Sequence, residues 1–196
     1  MTSVYYSLSM SRSKNASNAD NQQERLAGWV VGFTDGEGCF SVGFVAQRDR
    51  QEAGRIRRGY KTGYQPFHEF SVTQGESSLS VLKNLQSFFK VGKVYPNKRY
   101  DNHNEHLYRY VVRKRQDLID VIIPFFEKYK LHTAKRKSFI KFARCVRLLH
   151  KGVHMKTGGF IKIALVARQM NRKKSGKNLA RILRDYTPNS KSMEKI

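Results

Sequence analysis

The chain of 196 residues has 38 Lys and Arg against 15 Asp and Glu, a formal net charge of +23. An apolar fraction of 39% excludes a wholly disordered chain, the apolar runs are too short for a membrane span, and two cysteines offer neither a metal-ligand spacing nor a disulfide framework. We therefore expect an intracellular one-domain protein whose partner is a polyanion, with nucleic acid favoured over an anionic membrane surface.

The order of elements predicts an α+β protein. Residues 1–22 are rich in Ser and Asn and predict a disordered leader, whereas residues 187–196 predict a flexible tail, so a single domain is expected over 23–186. The expected elements are a helix at 23–34, strands at 39–47 and 64–74, a helix from Glu76, strands at 91–100 and 106–113, helices at 116–129 (kinked or broken by Pro124), 134–150 and 159–171, and a further C-terminal helix. Antiparallel strands with helices on one face are an α+β layout.

Basic residues are concentrated in two places. Between Lys128 and Arg184 there are 18 Lys and Arg and no Asp or Glu. Counterion release makes such a run favourable when the partner carries phosphates, and a merely solvated helical surface is the alternative. A second cluster lies in a Gly-containing loop, which holds Arg48, Arg50, Arg55, Arg57, Arg58 and Lys61.

Two acids lie among glycines where the first helix meets the first strand, in the segment Val30-Val31-Gly32-Phe33-Thr34-Asp35-Gly36-Glu37-Gly38. Gly28 and Gly32 share one helical face and permit close approach of another helix. Glu37 follows a helix C terminus, where the helix dipole disfavours a carboxylate, so a divalent cation would offset its charge. The alternative is a helix-capping turn with two surface acids.

This segment resembles the signature of the LAGLIDADG homing endonucleases. The resemblance extends to Phe70–Gln74, Ile123–Tyr129 and Lys135–Phe139 and covers residues 23–172. The sequence departs from the family pattern at Val30-Val31, where Leu-Ala is common, and at Thr34.

The resemblance implies a fold and an activity. The fold is an αββαββα core with an antiparallel β-saddle and extra C-terminal helices. The activity is site-specific hydrolysis of double-stranded DNA by an intron-encoded enzyme, with Mg²⁺ or another divalent cation such as Mn²⁺. By the same resemblance, Glu37 and the Gly36 carbonyl bind the metal, Asp35 is a structural acid, and Gln74 positions water.

The resemblance also places a lysine near the scissile phosphate, and Lys135 and Lys137 both compete for this role. The two lie about 200° apart on a helix, so only one can face the active site. Lys135 is four residues before Phe139, on the predicted buried side, which favours Lys135.

Because one motif copy cannot cut both strands in place, the resemblance implies a homodimer on a pseudo-palindromic target. We expect Gly28, Val31, Gly32 and Asp35 at its interface. Arg48, Arg50, Arg57 and Arg58 are expected to contact DNA. Strand alternation predicts a groove-facing set of Ser41, Gln47, Gln65, Glu69, Ser71, Thr73, Lys93, Tyr95, Asn97 and His106, and leaves the facing of Tyr108 and Tyr110 open.

Two other functions on the same fold are an intron RNA maturase and a non-cleaving DNA-binding protein. The combined presence of Glu37, Gln74 and Lys135 favours the nuclease. Such genes imply an organelle (mitochondrion or chloroplast) or a prokaryotic cytoplasm as the compartment. No membrane partner is expected.

Overall fold

The computed structural model of the chain describes residues 3–47, 49–60, 62–97, 105–170 and 182. Its helices are α1 (Ser3–Glu37), α2 (Leu79–Phe89), α3 (Arg115–Asp117), α4 (Ile123–Lys128), α5 (Lys135–His150) and α6 (Thr157–Arg168). Its strands are β1 (Gly38–Ala46), β2 (Arg50–Glu52), β3 (Arg55–Arg57), β4 (Tyr64–Gly75), β5 (Lys93–Asn97) and β6 (Leu107–Val112). The α+β class and the αββαββα order are confirmed. The predicted tail and Arg48 lie outside the described residues.

Four strands form one antiparallel sheet in the order β1-β4-β6-β5. Phe40 pairs with Phe70 across β1 and β4, and Thr73 pairs with Arg109 across β4 and β6. The alternation predicted for β1 is confirmed, because Phe40, Val42 and Phe44 are buried. We call this side the inner face of the sheet.

The helices cover the inner face. The ring of Phe40 lies 5.5 Å from that of Phe126 in α4 and 5.3 Å from those of Phe139 and Phe142 in α5. Phe160 of α6 packs against Phe44, with ring centroids 5.1 Å apart. The opposite side, the outer face, carries mostly exposed and half-buried side chains and is the open surface of the sheet.

Helix α1 begins at Ser3, whereas the sequence predicted a leader without structure and a helix from residue 23. No Gly or Pro occurs before Gly28, so nothing in that stretch terminates a helix. At its other end α1 passes directly into β1. A Cβ at Gly38 would lie 2.5 Å from Thr34 Cγ2, so this junction requires glycine.

The predicted loop around residue 54 contains a hairpin, β2–β3. Glu52 pairs with Arg55, and the two residues between them, Ala53 and Gly54, have φ of 48° and 75°. Positive φ at both positions is typical of a type I′ turn. The hairpin therefore holds its arginines on a defined strand pair.

Pro124 does not break the helical run, which continues from Arg115 to Lys128, but the helix type changes just before it. The segment Leu118–Ile122 is π-helical, and α4 begins at Ile123 with Pro124 in its first turn. Proline has no N–H to donate to the preceding turn, which accounts for the change in helix type there. Among the described residues, none of the helices combines the length and the apolar character needed to cross a membrane.

Candidate active site and DNA-binding face

The candidate active site lies at the C-terminal end of α1. Glu37 is the last residue of the helix, is exposed, and has no ion-pair partner among the described residues. The side chain of Lys135, at the start of α5, donates a hydrogen bond of 2.9 Å from Nζ to the Gly36 carbonyl oxygen. The structure thus brings together the two predicted metal ligands and the favoured lysine.

Lys135 and Lys137 differ in their surroundings. Burial lowers the pKa of Lys135, against the opposing attraction of Cys39, Asp35 and Glu37. Lys137 is exposed. The helical phase predicted for the two lysines matches this arrangement, and the catalytic role of Lys135 stays a prediction.

Asp35 ties the end of α1 to the segment before α5. Its carboxylate accepts hydrogen bonds from His132 N (2.7 Å) and from Thr133 N (3.2 Å) and Oγ1 (2.8 Å). Burial by itself would raise the pKa of Asp35, but these hydrogen bonds outweigh it and lower the pKa. Asp35 therefore acts within the chain, which fits a structural acid that positions Lys135.

Replacing Asp35 by Asn is expected to lower the free energy of unfolding by about 1 kcal/mol. The carboxylate charge is lost, and one of the two oxygens that accept hydrogen bonds becomes an NH₂ group, which cannot accept them. The pKa of Asp35 is lower in the folded chain than in the unfolded chain. The stabilisation by its carboxylate is therefore fully present above the unfolded-state pKa, and it is lost as the pH falls through the folded-state pKa. Urea unfolding of the wild type and of Asp35→Asn, at pH 7 and near pH 3, measures the difference in the free energy of unfolding. A difference that grows in acid contradicts the assignment.

Gln74 lies near the end of β4, where it is half-buried and pairs with Tyr108. The β1–β4 pairing ends at Gly38 and Val72, so Gln74 extends beyond it, on the side where α1 ends. This position is compatible with the predicted water-positioning role, which stays a prediction.

The donor chemistry at the end of α1 suits a hard divalent cation. Mg²⁺ takes oxygen ligands and is commonly held by one or two carboxylates together with substrate phosphates. The Glu37 carboxylate and the Gly36 carbonyl supply two such oxygens. No group of three or more His, Cys, Asp or Glu comes together among the described residues. The residues therefore fit such a cation when water and a phosphate complete its ligands.

The outer face carries most of the predicted groove-facing set. The pairings place these residues on one side of the sheet: Ser41 of β1, Gln65, Glu69, Ser71 and Thr73 of β4, and Lys93, Tyr95 and Asn97 of β5. Gln47 follows β1 directly and is half-buried. Tyr110, which was left open, belongs to the inner face, where it is fully buried and its hydroxyl donates to Val91 O at 2.8 Å; Tyr108 shares that side.

Three members of that set need correction. Glu69 and Ser71 face outward but are only 5% and 2% exposed, because Arg109 bonds to both of them. His106 is exposed, but it precedes the first residue of β6. By the alternation of the strand it does not share the outer-face side with Leu107 and Arg109. None of the three presents a side chain on the open surface of the outer face.

Two residues of the outer face, Arg109 and Phe67, were not predicted from the sequence. Arg109 lies between Tyr108 and Tyr110 on β6, so it faces the opposite side of the sheet from both tyrosines. This alternation was the sequence signal that could have placed Arg109 on the outer face. Phe67 is 42% exposed, and its ring lies over Gly43, where a Cβ would be 2.2 Å from Phe67 Cε1. Without a side chain at Gly43, the aromatic ring can lie flat on the sheet.

The basic hairpin is tied back to the sheet. Gln47 N donates to Gly63 O at 2.8 Å, and Gly59 N donates to Asp49 Oδ1 at 2.7 Å. Arg50, Arg57 and Arg58 of this hairpin are exposed. The predicted arginine cluster therefore extends from the end of β1, next to the outer face.

The exposed face of α1 matches part of the predicted dimer interface. Gly28, Gly32 and Gly36, which we call the glycine stripe, are exposed, and a Cβ at any of them would meet nothing within 4 Å. Val31 was wrongly assigned to this interface, since it is only 6% exposed and packs in the chain's own core. The helical repeat turns Val31 towards the sheet.

Comparison with known proteins supports the same interpretation. A family model described as LAGLIDADG endonuclease matches residues 30–146. Probable intron-encoded endonuclease 2 of Neurospora crassa is 29% identical over 135 residues, which cover 69% of this chain and 25% of that protein. The chain thus spans about a quarter of the length of this relative.

Two solved structures are also similar. The homing endonuclease I-TnaI is 37% identical with a TM-score of 0.68, over 82% of this chain and 97% of that one. I-SmaMI, bound to an uncleaved DNA target in the presence of calcium ions, is 30% identical with a TM-score of 0.63, over 81% of this chain and 49% of that one. The chain belongs to the LAGLIDADG endonuclease family.

Proposed function

We propose that the chain is a site-specific, intron-encoded DNA endonuclease that acts as a homodimer. The observation that carries this proposal is the juxtaposition of the Glu37 carboxylate, the Gly36 carbonyl and the Lys135 ammonium at the end of α1. This group lies where β1 begins, at one end of an exposed antiparallel sheet. An antiparallel ribbon of this kind can enter the major groove of DNA.

The proposed reaction is hydrolysis of a phosphodiester. Water attacks phosphorus, the bond to the leaving sugar oxygen breaks, and that oxygen takes up a proton. Glu37 and the Gly36 carbonyl would hold Mg²⁺ or another divalent cation such as Mn²⁺, which when bound supplies Lewis-acid polarisation of the phosphate and a lower pKa for water. Gln74 orients the attacking water. The Lys135 ammonium stabilises negative charge on the phosphate.

Two copies of the chain are needed to cut both strands, since each has one Glu37 and one motif. The lengths of the relatives support this, because the chain corresponds to nearly all of I-TnaI and to half of I-SmaMI. The glycine stripe would let two α1 helices approach closely. A twofold dimer implies a nearly palindromic target.

A cleavage assay tests the activity. DNA that contains the host gene's uninterrupted insertion site is incubated with protein and Mg²⁺, beside the same DNA with the site scrambled. We expect double-strand cleavage of the intact site alone. Specific binding without cleavage would identify a non-cleaving DNA-binding protein, and would contradict the nuclease proposal. The compartment stays a prediction.

Gly32→Leu is expected to give a folded monomer that does not cleave DNA. Because a Cβ at Gly32 meets nothing within 4 Å, the substitution leaves the single chain intact and obstructs only the second helix. Gly158→Leu is the matched control, since Gly158 is exposed on α6 with equally open space around it. Sedimentation with far-UV circular dichroism measures both variants. A wild type that is monomeric on and off DNA contradicts the dimer.

DNA binding should depend steeply on salt. The log of the binding constant falls by about 0.9 per phosphate contact for each tenfold rise in salt, and at least about three contacts are expected. Arg58→Gln in the hairpin should reduce the slope by about one contact, whereas Lys162→Gln on α6 should leave it unchanged. Fluorescence anisotropy between 50 and 200 mM KCl measures the slopes. A wild-type slope below three contacts would undermine the assigned face.

Intron RNA is a second candidate partner, favoured by where the basic run lies. Helices α5 and α6 pack on the inner face, so the exposed basic side chains beyond the first turn of α5, such as Arg144 and Lys162, point away from the outer face. If RNA binds these helices, labelled intron RNA should bind while the protein is saturated with DNA, and Lys162→Gln should weaken RNA binding alone. Mutual exclusion of RNA and DNA argues against a separate RNA surface.

A further inference from the structure

A carboxylate on the outer face holds two arginines. Glu69 lies on β4, and its Oε1 accepts a hydrogen bond from Arg109 Nη2 while its Oε2 accepts one of 2.9 Å from Arg113 Nε. Arg109 Nη2 also donates to Ser71 Oγ at 3.0 Å. We call Glu69, Ser71, Arg109 and Arg113 the Glu69 cluster.

We infer that Arg113 reads a guanine in each half of the DNA target and that Glu69 is the residue that positions it. This inference rests on the proposed function, because it takes the outer face as the DNA-binding surface. It adds a specificity-determining residue and a positioning residue that the strand pattern did not reveal. Arg113 follows the last residue of β6 and continues the outer-face parity of Arg109 and Val111.

The hydrogen bonds distinguish the two arginines. Both bonds of Arg109 use Nη2, so the guanidinium edges that include this nitrogen are already engaged. Arg113 uses only Nε, and its Nη1 and Nη2 have no partner among the described residues. Arg113 therefore retains the two-nitrogen fork that bonds to O6 and N7 of guanine, the commonest specific contact in the major groove.

The exposed fractions of the side chains also favour Arg113 as the residue that reads a base. The side chain of Arg113 is 67% exposed, that of Arg109 is 29% exposed, and that of Glu69 is 7% exposed. An exposed guanidinium can reach a base edge, whereas Arg109 lies along the sheet over Ser71. The more exposed guanidinium is thus the one whose Nη1 and Nη2 pair is unused.

The buried carboxylate has a positioning role. A negative charge on a surface that binds phosphates would oppose binding, and burial of an unpaired carboxylate is costly. Two guanidinium partners offset this charge and leave the cluster with a net charge of +1. What Glu69 adds is orientation, because a held guanidinium loses less side-chain freedom when it binds a base.

The neighbouring side chains suit a nucleic-acid groove. Arg113 borders a surface concavity that Lys93, Tyr95 and Lys114 also line, and Lys93 and Tyr95 belong to the outer face. Asp117 lines it too and pairs with Lys114 at 3.2 Å, so Lys93 is the neighbouring cation that keeps its full charge effect. Positive charges around one fork favour phosphate contacts on either side of the base that it reads. A base contact flanked by backbone contacts is therefore the arrangement that this part of the face supports.

A binding-specificity profile tests the inference. Wild-type protein is bound, with Ca²⁺ in place of Mg²⁺, to insertion-site DNAs that carry every single base-pair change. We expect one position per half-site with a preference for guanine of about 5- to 150-fold. Arg113→Lys keeps the charge but lacks the fork, so it should remove most of this preference without changing the salt slope. Glu69→Gln should reduce the same preference several-fold.

The outcomes separate this inference from the proposed function. If Arg113→Lys retains the guanine preference, or if Arg113→Ala weakens all targets equally, Arg113 contacts only phosphate and the inference is wrong. The same holds if Glu69→Gln, with an unchanged circular dichroism spectrum, leaves the profile as in the wild type. A wild type that shows no specific binding at all would instead count against the proposed function.

Discussion

Glu37→Gln is expected to abolish DNA cleavage and to leave specific DNA binding intact. The substitution keeps the size of the side chain but removes the carboxylate charge that would bind the divalent cation. Loss of about 4 kcal/mol of transition-state stabilisation corresponds to a rate about 10³-fold lower. Without metal, the variant should bind DNA at least as tightly as the wild type, because one negative charge near the phosphates is gone.

Single-turnover cleavage with Mg²⁺, together with anisotropy in the absence of metal, measures both effects. Asp20→Asn is the matched control, since Asp20 is an exposed acid on the same helix. It should cleave at the wild-type rate. Substantial cleavage by purified Glu37→Gln would mean that Glu37 is a structural acid and that any metal site lies elsewhere.

Lys135→Met is expected to lower the single-turnover cleavage rate by about 10²-fold or more at saturating enzyme. The ammonium lies 2.9 Å from the Gly36 carbonyl oxygen, beside the proposed metal ligands, and a positioned charge of this kind contributes a few kcal/mol. Lys137→Met removes the same charge from an exposed position and is the matched control. It should mainly weaken binding.

Binding and rate must be separated for these two variants. Titration of enzyme against a fixed DNA concentration gives the affinity, and the plateau rate gives the chemical step. The reverse pattern, with a slow plateau for Lys137→Met and a normal plateau for Lys135→Met, would transfer the role to Lys137. Thermal unfolding of both variants shows whether either loss reflects the fold.

The sequence predicted the features that follow a simple period. The two-residue repeat of β1 identified both faces of the sheet, and the helical repeat of α5 placed Lys135 and Lys137 on different sides. The segment ending at Gly38 predicted the junction of α1 with β1, because glycines release the backbone from a helix. Asp35 and Glu37 stand directly before Gly36 and Gly38 in this segment. These features depend on residues close together in the chain.

Features that depend on distant partners or on an unusual backbone conformation were not predictable in the same way. Glu69 and Ser71 are buried by Arg109, about 40 residues later, which alternation cannot reveal. The β2–β3 turn places Ala53 at a positive φ, a conformation that alanine rarely adopts and that sequence rules therefore do not favour. Val31 lies one position before Gly32, and only the packing of α1 against the sheet shows that it faces inward.

In the proposed dimer, each Glu37 at the end of α1 directs cleavage of one DNA strand. The most direct test purifies mixed dimers of wild-type and differently tagged Glu37→Gln chains and gives them supercoiled plasmid with the target site. We expect nicked circles cut in one strand, because a mixed dimer has one active Glu37. Linear plasmid from mixed dimers, at the rate of the wild type, would contradict this role of Glu37.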